Sequence, residues 1–293
     1  MLTIRLFLVF IFAVALLLTA IKDSVKSSET PGASPQAQNS AAKQDEPKTK
    51  RTVQISLDST ADVLIENSEG KRLGLDFKTR TQLNEIPDAR YIDRGTSSVF
   101  VLPFDKTGKP YRISILAKPA SEPGAVLNMT GPGFVVGFRN LRLVPGQLQS
   151  LSISSDGATL SFTANETGAT PQLYFTTQSG RDKPSYRFEI VSASLSNGKT
   201  INVNLDLANG KLYFKSDEAK KNSFNVMMRR TNPGGVRETY NHQSVTFGRE
   251  NSYALNFGQW DGTGDACFYE KCTGCGESQC TKLKNEYRPP KSD

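Results

Sequence analysis

The chain has 293 residues, 37% of them hydrophobic, and 36 Lys and Arg against 29 Asp and Glu give it a net charge of +7. Its one histidine, His242, excludes a zinc site built on several histidines and leaves a single imidazole for any Ser-His-Asp or Cys-His arrangement. Because the basic residues are interspersed with acids, the charge argues against nucleic acid as a partner and suits loose attraction to anionic polymers or lipid headgroups.

Arg5 precedes sixteen apolar or small residues, Leu6 to Ile21, and Lys22 follows them. That run is longer than a typical signal-peptide core of about 7–15 residues and shorter than a full span of about 20. Residues 1–22 are therefore expected to be a signal peptide or an uncleaved signal anchor, and in either case the rest of the chain is exported. A cleaved signal leaves it periplasmic or secreted. An anchor holds it on the inner membrane through the N-terminal helix, facing the periplasm or exterior. Residues 23–51 are rich in Ser, Ala, Pro, Gln and Lys and lack aromatics, so they are expected to be a disordered linker, too polar to bury a core.

From residue 52 the pattern becomes that of strands. Val53-Gln54-Ile55-Ser56-Leu57, Leu151-Ser152-Ile153-Ser154 and Ile201-Asn202-Val203-Asn204-Leu205 alternate apolar and polar residues, as strands with one buried face do. Pro145-Gly146, Asp156-Gly157, Ser179-Gly180, Asn197-Gly198, Asn209-Gly210 and Pro233-Gly234-Gly235 punctuate the runs with turn formers. The spacing leaves room for hairpins and none for βαβ crossovers, which predicts an all-β, antiparallel sandwich. Two prolines and a glycine at 118–124 suggest a boundary between a first β module, 52–119, and a second β-sandwich module, 124–260. The alternative is two sheets of one sandwich joined by this link.

The stretch from Ile65 to Asp76, continuing into Asn84-Glu85-Ile86-Pro87-Asp88-Ala89-Arg90-Tyr91, resembles a segment of exported bacterial β-rich proteins in which an Asp-Pro-x-Thr-Gly turn precedes an Asn-Glu-Ile-Pro phrase. Thr130-Gly131-Pro132-Gly133-Phe134 is similar to a strand-turn phrase of the same proteins. This chain departs from the pattern at Phe77 and Arg80, where Pro and Gly would stand. The resemblance implies Ig-like or pre-peptidase-like sandwich modules of the cell envelope, which share no single activity.

Several groups of residues could carry chemistry. Asp76, Glu85, Asp88 and Asp93 could supply paired carboxylates, with solvated loop acids as the plainer reading. Asp261-Gly262-Thr263-Gly264-Asp265 has the oxygen ligands of a cation loop without the closing Glu of an EF-hand, so a turn is the simpler expectation. Trp260 before it either seals the end of the sandwich or offers a ring to a sugar or peptide; Trp260, Asp261 and Asp265 are therefore the candidate binding residues. Asn128-Met129-Thr130 and Asn165-Glu166-Thr167 match the glycosylation pattern.

The C-terminal segment, 261–293, holds all four cysteines, Cys267, Cys272, Cys275 and Cys280, spaced C-x4-C-x2-C-x4-C. In an exported protein an even cluster reads as two disulfides, in one of three pairings. Four-cysteine zinc sites usually present two separated C-x2-C arms, and this segment has one, so a metal site or reactive thiols are the alternatives. No cofactor is implied. The composite expectation is a non-enzymatic cell-envelope protein, a tethered or secreted β-sandwich head that binds or scaffolds envelope proteins or anionic envelope polymers. An exported hydrolase and a periplasmic thiol or metal-binding protein are the rivals.

Overall fold

A computed structural model describes residues 51–58, 61–119, 124–178, 182–192, 194–218, 222–247, 252–271 and 280–288. The expected signal or anchor (1–22), nearly all of the linker (23–51) and two of the cysteines, Cys272 and Cys275, lie outside these residues. Among the described residues every regular element is a strand, and no helix is long and apolar enough to cross a membrane.

The first strands are β1 (Thr52–Asp58), β2 (Ala61–Glu66), β3 (Arg72–Leu75), β4 (Gln82–Asn84), β5 (Arg90–Asp93), β6 (Ser98–Pro103) and β7 (Pro110–Ala117). Then come β8 (Ala125–Gly131), β9 (Phe134–Leu141), β10 (Leu148–Ser154), β11 (Thr159–Thr163), β12 (Gln172–Thr177) and β13 (Ser185–Ser192). The last are β14 (Thr200–Asp206), β15 (Lys211–Ser216), β16 (Asn222–Thr231), β17 (Arg237–Phe247), β18 (Ser252–Asn256), β19 (Ala266–Lys271) and β20 (Thr281–Leu283). One sheet runs β17-β16-β13-β12-β9-β8-β1-β6-β5, and the other β20-β19-β18-β15-β14-β11-β10-β7-β2-β3-β4. From β8 onward the chain lays one hairpin on the nine-stranded sheet and the next on the eleven-stranded sheet, in regular alternation. All the pairings are antiparallel, so the fold is all-β, as the alternating residues and turn dipeptides predict.

The three alternating runs fall on β1, β10 and β14 and turn their apolar residues inward. Val53, Ile55 and Leu57 are buried, as are Leu151 and Ile153, and Ile201, Val203 and Leu205. Aromatic side chains join the two sheets face to face: Phe138 of β9 lies 6.2 Å from Phe162 of β11, and Phe214 of β15 lies 4.8 Å from Phe224 of β16. One contiguous core runs from Val53 to Phe268, within the compact unit Thr49–Asp293.

Both sheets continue across the link expected to divide the modules. β1 pairs with β8, with Ile55 opposite Met129, and β7 pairs with β10, with Ile113 opposite Leu151. β7 and β8 belong to opposite sheets, so the link carries the chain from one layer of the sandwich to the other. The C-terminal segment also enters the fold. β19 pairs with β18 and buries Ala266 and Phe268, which is why the eleven-stranded sheet extends past residue 260.

Candidate functional site: an aromatic groove at one end of the sandwich

Strand alternation places Leu212 and Phe214 of β15 in the core and Lys211 and Tyr213 on the outer face. Tyr213 is directly opposite Ala254 of β18, and Ala254 is directly opposite Tyr269 of β19. Two tyrosines thus flank one methyl group across three neighbouring strands, roughly 10 Å apart at two strand spacings. The next row holds Lys211, Asn256 and Cys267, and the Lys211 ammonium lies 5.5 Å from the centre of the Tyr269 ring.

Lys211, Tyr213, Asn256 and Tyr269 of these rows line one side of a groove of about 1070 Å³, which continues around the end of the sandwich to Tyr186 and Lys183. Its shape depends on two glycines. Gly210, in the β14–β15 turn, has φ +63°, and a Cβ there would come within 2.6 Å of the Gly258 Cα. The Gly258 N–H donates to the Gly210 carbonyl at 2.9 Å, so the two loops touch backbone to backbone and leave the space beside them open. Asn256 donates through Nδ2 to Gln259 Oε1 at 2.8 Å and accepts from the Gln259 N–H, fixing both amides on the wall. Behind them Phe257 packs against Tyr186 at 4.8 Å and Phe188 at 5.0 Å.

The groove thus combines aromatic faces, carboxamides and ammonium groups. Among the described residues that line it, none is an Asp, Glu, His or Cys. The site can hold a ligand with flat apolar faces and many hydroxyls, and its charged groups favour an anion.

The candidate binding residues Trp260, Asp261 and Asp265 are not among the described residues that line this groove. Trp260 is 3% exposed. Its ring lies 6.1 Å from Tyr240 and 5.3 Å from the Arg230 guanidinium, and its indole N–H donates to the Gly264 carbonyl, so it closes the sandwich end and presents no open face. Arg230 pairs with Glu238 and donates to the Trp260 and Asp261 carbonyls at 2.6 and 2.7 Å, holding the loop that shapes the groove. Asp261 accepts from the Thr263 N–H at 2.8 Å and Asp265 from the Asn285 N–H at 3.3 Å. The first carboxylate shapes its own turn, and the second ties that loop to the segment after β20. Among the described residues no group of three or more His, Cys, Asp or Glu side chains could hold a metal ion.

Asp76 and Glu85 are both held by Arg72, at 3.0 Å each, and Asp93 accepts from the Gly95 N–H. His242 Nδ1 lies 2.9 Å from the Lys284 carbonyl, away from the groove. Cys267 forms a disulfide with Cys280. Tyr213, Tyr269, Tyr186 and Lys211 were not singled out in the sequence, although Lys-Leu-Tyr-Phe-Lys at 211–215 alternates in a way that puts an aromatic on a solvent face.

Comparison of the chain with protein-family models, with curated proteins and with solved structures gives no match.

Proposed function

We propose that this chain is a non-enzymatic binding head of the cell envelope, an Ig-like sandwich that takes a polysaccharide segment into the aromatic groove. The carrying observation is the Tyr213–Ala254–Tyr269 row. The C–H faces of a sugar ring stack on aromatic faces such as those of Tyr213 and Tyr269, which both line the groove. Asn256, Gln259 and Lys211 supply donors and acceptors for hydroxyls, in the usual division of a ligand site into an apolar surface and a few placed polar groups. Among the described lining residues there is no carboxylate, which favours holding a glycan over cleaving it with paired acids. The charged-then-apolar start of the chain and the polar linker support export, with the head tethered or released outside the cytoplasm.

Titration calorimetry with dextran and with a chitin hexamer tests this reading. At least one is expected to bind, and Tyr213→Ala or Tyr269→Ala should weaken it roughly tenfold, the scale of a lost aromatic stack. Chromatography of the glycan afterwards should return it uncut. Binding that ignores both tyrosines overturns the proposal, and shortened glycan replaces it with the hydrolase reading.

A further inference from the structure

Resting on that reading, we infer that the groove's ligand is an acidic polysaccharide, whose anionic groups dock on Arg187, Arg229 and Arg237 beside the groove. The polymer lies with its sugar rings against the tyrosines and carries its charges past Tyr186 onto the outer face of the nine-stranded sheet.

Four observations lead to this assignment. First, the two depressions are neighbours: Tyr186 borders both the groove and a second hollow of about 210 Å³ that is lined by the three arginines. Second, Arg187 of β13 is directly opposite Arg229 of β16, and Ser185 and Arg237 both face Thr231 in the next row. Like charges directly opposite on neighbouring strands are unfavourable, and a bridging anion removes that cost. Third, the region is short of carboxylate. Glu189 serves both Arg187 and Arg139, and among the described residues neither Arg229 nor Arg237 has a carboxylate within ion-pair distance. Fourth, the remaining polar groups of the hollow are the hydroxyls of Thr176, Ser185 and Thr231, which donate to anion oxygens.

Guanidinium groups suit this work because their planar forks match the oxygens of a carboxylate, sulfate or phosphate. Strand alternation also explains why Arg229 and its neighbour act differently. Arg229 faces outward into the hollow, whereas Arg230 faces inward and pairs with Glu238. Arg229 and Arg230 are therefore two separate devices, and only the outward Arg229 is available to a ligand.

The experiment compares three probes on the intact 52–293 head: neutral dextran, dextran sulfate, which adds sulfate esters to the same backbone, and a galacturonate oligomer carrying carboxylates. The acidic probes are expected to bind about tenfold or more tighter than neutral dextran, and Arg229→Gln with Arg237→Gln should remove that advantage. The double Lys variant should keep part of it. Arg187 is left in place because Glu189 depends on it, and circular dichroism confirms that each variant is folded. Whichever acidic probe binds tighter identifies the anionic group. Equal affinity for neutral and acidic chains, or unchanged preference in the double Gln variant, overturns the inference. A single-stranded oligonucleotide that binds as tightly and loses as much in the double Gln variant overturns it in favour of nucleic acid. Failure of the groove reading itself shows separately, as neutral dextran binding that ignores Tyr213→Ala.

Discussion

Asp62 and Arg80 illustrate how single residues hold the fold together at the end opposite the groove's strands. Arg80 has φ +56°, a left-handed conformation that glycine favours and arginine adopts at a cost of order 1 kcal/mol. The offset is in its side chain, which reaches Asp62 at 2.7 Å, while Lys118 reaches the other carboxylate oxygen at 2.7 Å. The Asp62 side chain is 8% exposed. Burial pushes its pKa up, but the hydrogen bonds and charges of Lys118 and Arg80 more than reverse this, so it stands below the ordinary 3.8. A carboxylate lowered in the folded state stabilises the protein above its unfolded-state pKa and loses that contribution as pH falls through the folded-state value. Both cations are about half exposed, which screens the pair. Asp62→Asn should therefore cost about 1–2 kcal/mol at neutral pH and markedly less in acid, at a pH below the lowered folded-state pKa. Urea unfolding of both proteins at the two pH values measures this, and a cost independent of pH would exclude the ion-pair explanation. That Arg80 departs from the glycine of the resembled phrase was visible in the sequence. Its partner was not, since nothing local connects Asp62 with Arg80 or Lys118.

At the scale of elements, the strand after the disulfide acts as a strap between the sheets. β20 pairs with β19, and the next residues cross to β17, the edge of the other sheet. There the Asn285 carboxamide accepts from the Asn241 N–H and donates to the Thr239 carbonyl, Glu286 accepts from the Gln243 N–H, and the Glu286 N–H donates to the Asn241 carbonyl. An open edge with unpaired backbone groups invites pairing with other chains, and these contacts cover it. The Cys267–Cys280 bond, closing a sequence separation of 13, anchors the strap. By chain entropy a loop of that size contributes about 3 kcal/mol. Replacing both cysteines by serine should raise amide exchange at Asn241 and Gln243 at least tenfold while leaving exchange at Ile55 and Val203 slow, because those strands have their own core. Unchanged protection at Asn241 would mean that the strap holds without the bond. Element by element, what could be read in advance was what period two alone reveals: the alternation of β1, β10 and β14, and the turns between them. The aromatic row could not be read that way. Tyr213 and Tyr269 meet only because β18 lies between their strands, and no spacing in the chain encodes that pairing. The same holds for Arg187 and Arg229.

For the whole molecule, the decisive feature is that every layer is shared. β1 uses one edge against β6 and the other against β8, so the first seven strands do not close a sheet among themselves. β7 likewise depends on β10, through seven paired positions from Pro110 to Leu116. A fragment of residues 52–119 would leave one edge of β1 and one of β7 unpaired. It would also lose Met129 and Leu127 from against β1, and Leu151 and Ile153 from against β7. Each apolar side chain of this size contributes roughly 1.5–3 kcal/mol when fully buried. Losing several exceeds what a short domain can spare, since whole-domain stability is typically about 5–15 kcal/mol. The 52–293 protein should therefore unfold in a single calorimetric transition, while 52–119 and 124–293 made separately should each lack one. Mixing the two fragments should restore it, because the β1–β8 and β7–β10 ladders form between them. A 52–119 fragment that unfolds cooperatively on its own, with the dispersed amide spectrum of a folded domain, would instead place a domain boundary at the 118–124 link and make the continuous sheets a matter of two docked modules.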